Sequence, residues 1–217
     1  GDSTTLTLSD ALDNRGGTLA AGNALQVESA GLDNSAQGSL VSDGSLHVRS
    51  TGLFDNQAGE LRARGLIDLA LGRLDNRGGV VSGKQLLSLQ ANSVDNQAGL
   101  LHADSLLQLL VDRFDNRQGV TRSKDRLDYQ GSALDNREGL LSASGPLDLR
   151  LAQVDNSKGR IATRGNLDAS VATLQQQGGE LIAEGRLTLH GDNADNRSGG
   201  LIAGNTGLDL QVGMLDN

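Results

Sequence analysis

Three carboxylates, Asp128, Asp148 and Asp168, stand 20 residues apart, with Arg150 beside the middle one. Carboxylates gathered on one face can do acid–base work on a glycosidic bond or hold Ca²⁺. A longer acidic series lies in the dipeptide Asp-Asn. Its Asp recurs at Asp13, Asp33, Asp55, Asp75, Asp95, Asp115, Asp135, Asp155, Asp195 and Asp216. Stacked at the strand spacing of about 4.8 Å, such side chains repel one another, and bound Ca²⁺ could relieve that. Arg15, Arg77, Arg117, Arg137 and Arg197, two residues after their Asp, could screen it instead. His47, His102 and His190 share no interval and are expected to face outward on different repeats, so they predict no metal site. No hydroxyl residue has a His and an acid at repeat-related positions, and the absence of Cys removes thiolate chemistry. The glycines follow the Asp-Asn beat and form no phosphate cradle. No cofactor is expected, and an enzyme is not.

What brings any of these residues together is the repeat. The Asp-Asn spacings are 20, 22, 20, 20, 20, 20, 20, 20, 20 and 21, once the altered copy Gln175-Gln176 is counted in register. Apolar residues recur six and twelve positions after the Asp (Val81, Leu101, Leu141; Leu87, Leu107, Leu147) and fourteen after it (Leu89, Leu109, Leu149). Small residues recur eight after it, as at Ala63, Gly83 and Ala103. Offsets 6 and 8, then 12 and 14, have the period of a strand with one buried face, and no stretch sustains a helical period. Each repeat therefore reads as two or three short strands joined by tight turns. One repeat cannot bury its face alone and must stack on the next.

The predicted fold is all-β, a parallel β-helix of about ten coils of 20 residues over 1–217, right-handed by the rule for parallel crossovers. At about 4.8 Å per coil the rod would be about 50 Å long. Each coil buries about five aliphatic side chains, at roughly 1.5–3 kcal/mol apiece before entropy, which sustains an array and not a single repeat. A leucine-rich repeat is excluded because "LSLQANSVDN" puts Asn96 seven residues after Leu89 and no repeat has a helical half.

In this frame the residue before the Asp faces in, the Asp faces out and the Asn turns in at a corner. Asn14, Asn34, Asn56, Asn76, Asn96, Asn116, Asn136, Asn156 and Asn196 are expected to form an amide ladder up the rod. The Gly that usually follows four after the Asp is expected to supply a positive φ.

Composition narrows the function. The net charge is −8 and no run of Lys or Arg exists, which argues against nucleic acid. No apolar stretch reaches the roughly 20 residues of a membrane span. Two Phe, one Tyr and no Trp leave little for an ordinary globular core. The chain opens "GDSTTLTLSD" without a signal peptide and stops mid-motif at "MLDN", so it reads as a fragment of a longer filament whose cut ends invite end-to-end self-association. One surface feature is less ordinary. Val80, Leu100, Val120 and Leu140 occupy an outward position, five after the Asp, on four consecutive coils. Leu66, Leu86 and Leu106 make a second apolar run. Either the corner tucks these runs into the core or the first is a contact stripe.

The segments "ALDNRGGTLAAGNALQVESAGLDN" and "RLDNRGGVVSGKQLLSLQANSVDNQAG" resemble the repeats of filamentous haemagglutinin-like exoproteins, and the likeness covers residues 10–217. That family includes large adhesins and contact-dependent growth-inhibition proteins of Gram-negative bacteria. The resemblance implies a right-handed β-helical shaft, two-partner secretion through an outer-membrane protein, and display at the cell surface, where a receptor on a target cell would be met. It implies no catalytic residue. The leading expectation is a structural and adhesive shaft segment. The alternatives are a receptor-binding region within such a shaft and a polysaccharide-binding or polysaccharide-cleaving β-helix using Asp128, Asp148 and Asp168.

Overall fold

In the computed structural model, which describes residues 2–217, the chain is a β-solenoid of about eleven turns with no helix among the described residues. Every strand pairing is parallel, and strands one repeat apart pair in register: Leu87 meets Ile67 on one side and Leu107 on the other. Two sheets run the length of the rod. One contains 14 strands and the other ten, Thr18–Ala21 through Leu201–Gly204. The long path of the larger sheet has eleven rungs, one more than the ten coils expected, because Ser3–Thr7 ahead of the first Asp-Asn pairs with Ala24–Ser29.

A single coil explains the shape. Val80–Gly83 lies in the smaller sheet with burial alternating along it, and a three-residue bend (Lys84, Gln85, Leu86) leads to Leu87–Asp95 in the larger sheet. That nine-residue strand is bent. Leu87, Leu89 and Ala91 are buried at period two, but the next buried residue is Val94, three further on. The alternation resets at the bend, so the chain turns a corner without ending its strand. Ahead of the bend the alternation supplies one more inward position, sixteen after the Asp, beyond the recurrences at six, twelve and fourteen; it is filled by Leu71, Ala91, Val111, Leu151 and Val171. Where Gly131 takes that position, the Tyr129 ring uses the space. It packs edge-on to Phe114 at 5.7 Å, and its hydroxyl donates to the Ala133 carbonyl at 2.8 Å.

The Asp-Asn corner is a β-turn. Gly79 N–H donates to Asn76 O at 3.0 Å, and Asn76 N–H donates to Asp95 O of the next coil at 2.7 Å. The left-handed residue is the third after the Asp in every corner, whether Gly16, Gly78 and Gly178 or Ala36, Ala58, Ala98, Gln118, Glu138, Lys158 and Ser198. Except at Gly199, the glycine four after the Asp does not have positive φ, which corrects the expectation for it. It is glycine because of close approach. A Cβ on Gly79 would come within 3.0 Å of the Asn56 carbonyl oxygen in the preceding coil and of its own corner's Asn76 Oδ1, and Gly99, Gly119 and Gly139 repeat the geometry. The 22- and 21-residue coils absorb an extra residue here by using two left-handed residues in succession, Ala36-Gln37 and Ser198-Gly199.

Candidate functional site

Behind each corner the Asn side chain points into the rod. Asn34, Asn56, Asn76, Asn96, Asn116, Asn136 and Asn156 are fully buried, and Asn14 and Asn196 nearly so. Each Nδ2 donates to Oδ1 of the next Asn, at 2.7 Å from Asn14 to Asn34, 2.8 Å from Asn34 to Asn56, and 2.7–2.8 Å on through Asn156. Asn56 Nδ2 also reaches the carbonyls of Gly59 and, one coil on, Val80, both at 3.4 Å. The amide thus serves backbone groups freed at the bend, which is why a polar side chain can sit fully buried there. At the altered copy, Gln176 accepts from Asn156 at 2.9 Å, but its Nε2 donates to the Leu201 carbonyl at 3.3 Å and passes nothing to Asn196. Asn196 Oδ1 is left buried without a partner. The longer Gln side chain interrupts the amide ladder at this joint.

Outside the same corner, Asp75 Oδ1 accepts the Arg77 backbone N–H at 3.3 Å, and the Arg77 guanidinium grips the carboxylate with Nε at 2.9 Å and Nη2 at 2.7 Å. Arg77 Nε also faces Asp95 of the next coil at 3.7 Å. Arg15, Arg117, Arg137 and Arg197 repeat the clamp. The Arg15 side chain and backbone N–H draw the Asp13 carboxyl down to about 2. In the Asp195 carboxyl, Arg197 and then Gln177 produce a fall in the same direction. Cations of the chain itself therefore neutralise the acidic edge.

The Asp128, Asp148 and Asp168 stripe is in register on the larger sheet. The cation joining it is Arg126 and not Arg150: Nε donates to Asp128 Oδ1 and Nη2 to Asp148 Oδ2, each at 2.7 Å. Burial, followed by the Asp128 carboxyl, pushes Asp148 upward against the pull of Arg126. The signal for Arg126 was in the sequence: it is two residues before Asp128, and so on the same strand face. Among the described residues no group of three His, Cys, Asp or Glu side chains is arranged to hold a metal ion.

The histidines differ from one another more than expected. His47 is half-buried and His190 exposed, but His102 is only 8% exposed. Its Nε2 lies 2.7 Å from Asp104 Oδ1, and Asp104 also takes Lys124 at 2.8 Å and Lys84 at 3.4 Å. Lys124 does most to hold the Asp104 carboxyl well below the usual range, with His102 and Lys84 assisting against its burial. This three-coil cluster was missed because Lys84, Asp104 and Lys124 occupy a turn position whose residue type changes from coil to coil.

Val80, Leu100, Val120 and Leu140 stack on one another on the outward side of the smaller sheet and are half-buried. Leu66, Leu86 and Leu106 are half-buried at the turn into the larger sheet. Neither run is in the core, and among the described residues no helix is long and apolar enough to cross a membrane.

The repeats match a known family along their length. Haemagglutinin repeats align with residues 2–58, 58–131, 123–191 and 162–217. Neither characterised protein sequences nor solved structures gave a significant match. With four overlapping matches spanning the solenoid, the chain belongs to the haemagglutinin repeat family.

Proposed function

We propose that the chain is a shaft segment of a secreted bacterial surface filament, one β-helical array within a longer protein that holds a functional end away from the cell. The observation that carries this reading is continuity: one corner, repeated from Asp13 to Asp216, builds two sheets along the whole chain. Membership of an adhesin repeat family supports it. In this reading the Asn ladder has a mechanical role, holding the coils in register at the Asp-Asn corner. Export through an outer-membrane partner, end-to-end self-association, and service in an adhesin or a toxin-delivery protein belong to the same proposal.

A second reading rests on the in-register Val80, Leu100, Val120 and Leu140 stripe: a receptor-binding region within the shaft. The discriminating experiment is binding of the purified, fluorescently labelled chain to bacterial and epithelial cells, beside a β-solenoid with scrambled surface residues. A pure spacer gives no saturable binding above that control. Saturable binding that protease or glycosidase treatment of the cells removes, and that Leu100→Asp with Val120→Asp abolishes in a folded rod, would replace the spacer with the receptor region.

A further inference from the structure

The outer face of the smaller sheet carries a depression that the shaft role does not use. Outward residues stack there in register as Arg122, Ser142, Ala162 and Ile182. Two small side chains between two long ones leave a hollow of about 520 Å³, flanked by Leu140 and Arg160 on one side and Lys124 and Arg164 on the other. Four Lys and Arg side chains line it against a single acid, Glu184, in a chain whose net charge is −8. Lys124 is held by Asp104 at 2.8 Å and Arg160 by Glu180 at 2.8 Å, while Arg122 and Arg164 have no acidic partner within 4.0 Å among the described residues. The same hollow is lined by His102, more than nine-tenths buried, with Nε2 against Asp104 and Nδ1 without a partner. A hollow with cations along both of its sides, two of them without an acidic partner, is a site for carboxylates.

We propose that this hollow binds an extended acidic peptide segment of a partner protein, with two of its carboxylates on Arg122 and Arg164. Three features select a peptide. The three aromatic residues, Phe54, Phe114 and Tyr129, are all buried, so no surface ring offers a sugar its face. Leu140 both lines the hollow and ends the stripe through Val120, Leu100 and Val80, so an apolar lane leads along the rod from the charged pocket. Finally, Arg122 and Arg164 are two coils apart along the rod, about 9.6 Å, and two residues apart across it, about 6.6 Å, so their long side chains would lean together over the hollow to hold two carboxylates less than about 12 Å apart. A polyproline II segment presents the same face every three residues, about 9.3 Å. The preferred ligand therefore has acidic residues at i and i+3 with small or apolar residues between them. A rod whose hollow stays empty would still satisfy the shaft reading, so this proposal can fail alone.

The test is fluorescence anisotropy of the folded chain with a labelled peptide (Glu-Pro-Ala)₄, its (Gln-Pro-Ala)₄ counterpart, an isomer with the same acids in one block, and a hyaluronan oligosaccharide. The spaced acidic peptide should bind saturably and the neutral one should not. Arg122→Ala with Arg164→Ala should weaken binding at least tenfold. Ala162→Leu, which fills the hollow and leaves every charge in place, should do the same with an unchanged melting temperature. Equal binding of the blocked isomer, binding indifferent to Ala162→Leu, or preference for the oligosaccharide would each overturn the proposal.

Discussion

The corners from Asn34 to Asn156 and the joint between Gln176 and Asn196 are the same turn built with different amides. In the first region each amide both donates to and accepts from its neighbours at 2.7–2.9 Å. At the joint the backbone is unchanged, with Gln176 N–H still 2.7 Å from Asp195 O, yet the side-chain relay stops and Asn196 Oδ1 has no partner. One methylene separates Gln from Asn, and it moves the amide past the next rung to the Leu201 carbonyl. Backbone stacking therefore defines the rod, and the length of the corner side chain decides whether the interior hydrogen bonds are continuous.

The largest effects are expected in the regular region. Gly99→Ala would drive a Cβ against the Asn76 carbonyl, whereas Gly78→Ala places a methyl where nothing lies within 4 Å, at a φ of 60° that Ala58 and Ala98 already adopt. Chemical denaturation should show Gly99→Ala costing about 3 kcal/mol or preventing folding, and Gly78→Ala costing about 1 kcal/mol. Equal costs would remove the close-approach explanation of the glycine. Next, Asn116→Ala strands Asn96 Nδ2, Asn136 Oδ1 and the Thr121 hydroxyl, which donates to Asn116 Oδ1 at 2.9 Å. It should cost about 2–4 kcal/mol, and Asn196→Ala visibly less, because one of its two groups is unpaired already. Gln176→Asn sharpens the contrast from the other side. By completing the relay it should raise stability by about 1 kcal/mol, and no change in the unfolding midpoint would mean the gap has no cost.

The smallest effects follow pH. A carboxyl lowered in the folded state stabilises above its unfolded value, near 3.9, and loses that contribution as pH falls through the folded value. For Asp13 the window runs from about 4 to about 2, and Asp195 shifts in the same direction. Asp148 has the opposite sign. Its carboxyl is raised, so its charged form is disfavoured by folding and the cost is present above the folded value. Asp148→Asn should therefore stabilise slightly at neutral pH and lose the advantage below pH 4. A destabilised variant at pH 7 would mean the Arg126 link dominates.

Much of this was legible in the residues. The period, the parallel stack, the inward Asn and the inward positions at offsets 6, 8, 12 and 14 follow from spacing alone, because a strand's two faces impose a period of two. Three things did not. The bend inside Leu87–Asp95 resets that period between Ala91 and Val94, so no single alternation runs through the strand. The reason for Gly79 lies in a contact with the previous coil, which no single repeat contains. The His102 cluster joins Lys84, Asp104 and Lys124 on three successive coils at a turn position that takes Lys, Asp or Ser, so no repeat consensus marks it.

The most direct test of the corner account is hydrogen exchange of the folded chain, followed peptide by peptide along the rod. Amides at Asn76, Asn96, Asn116 and Asn136, each donating at 2.7 Å to an Asp carbonyl one coil on, should be uniformly and strongly protected, with protection dropping at Gln176 and Asn196. In Gln176→Asn the drop should disappear. Uniform protection through the joint in the native chain, or rapid exchange at the regular corners, would contradict the claim that the continuous amide ladder holds the coils in register.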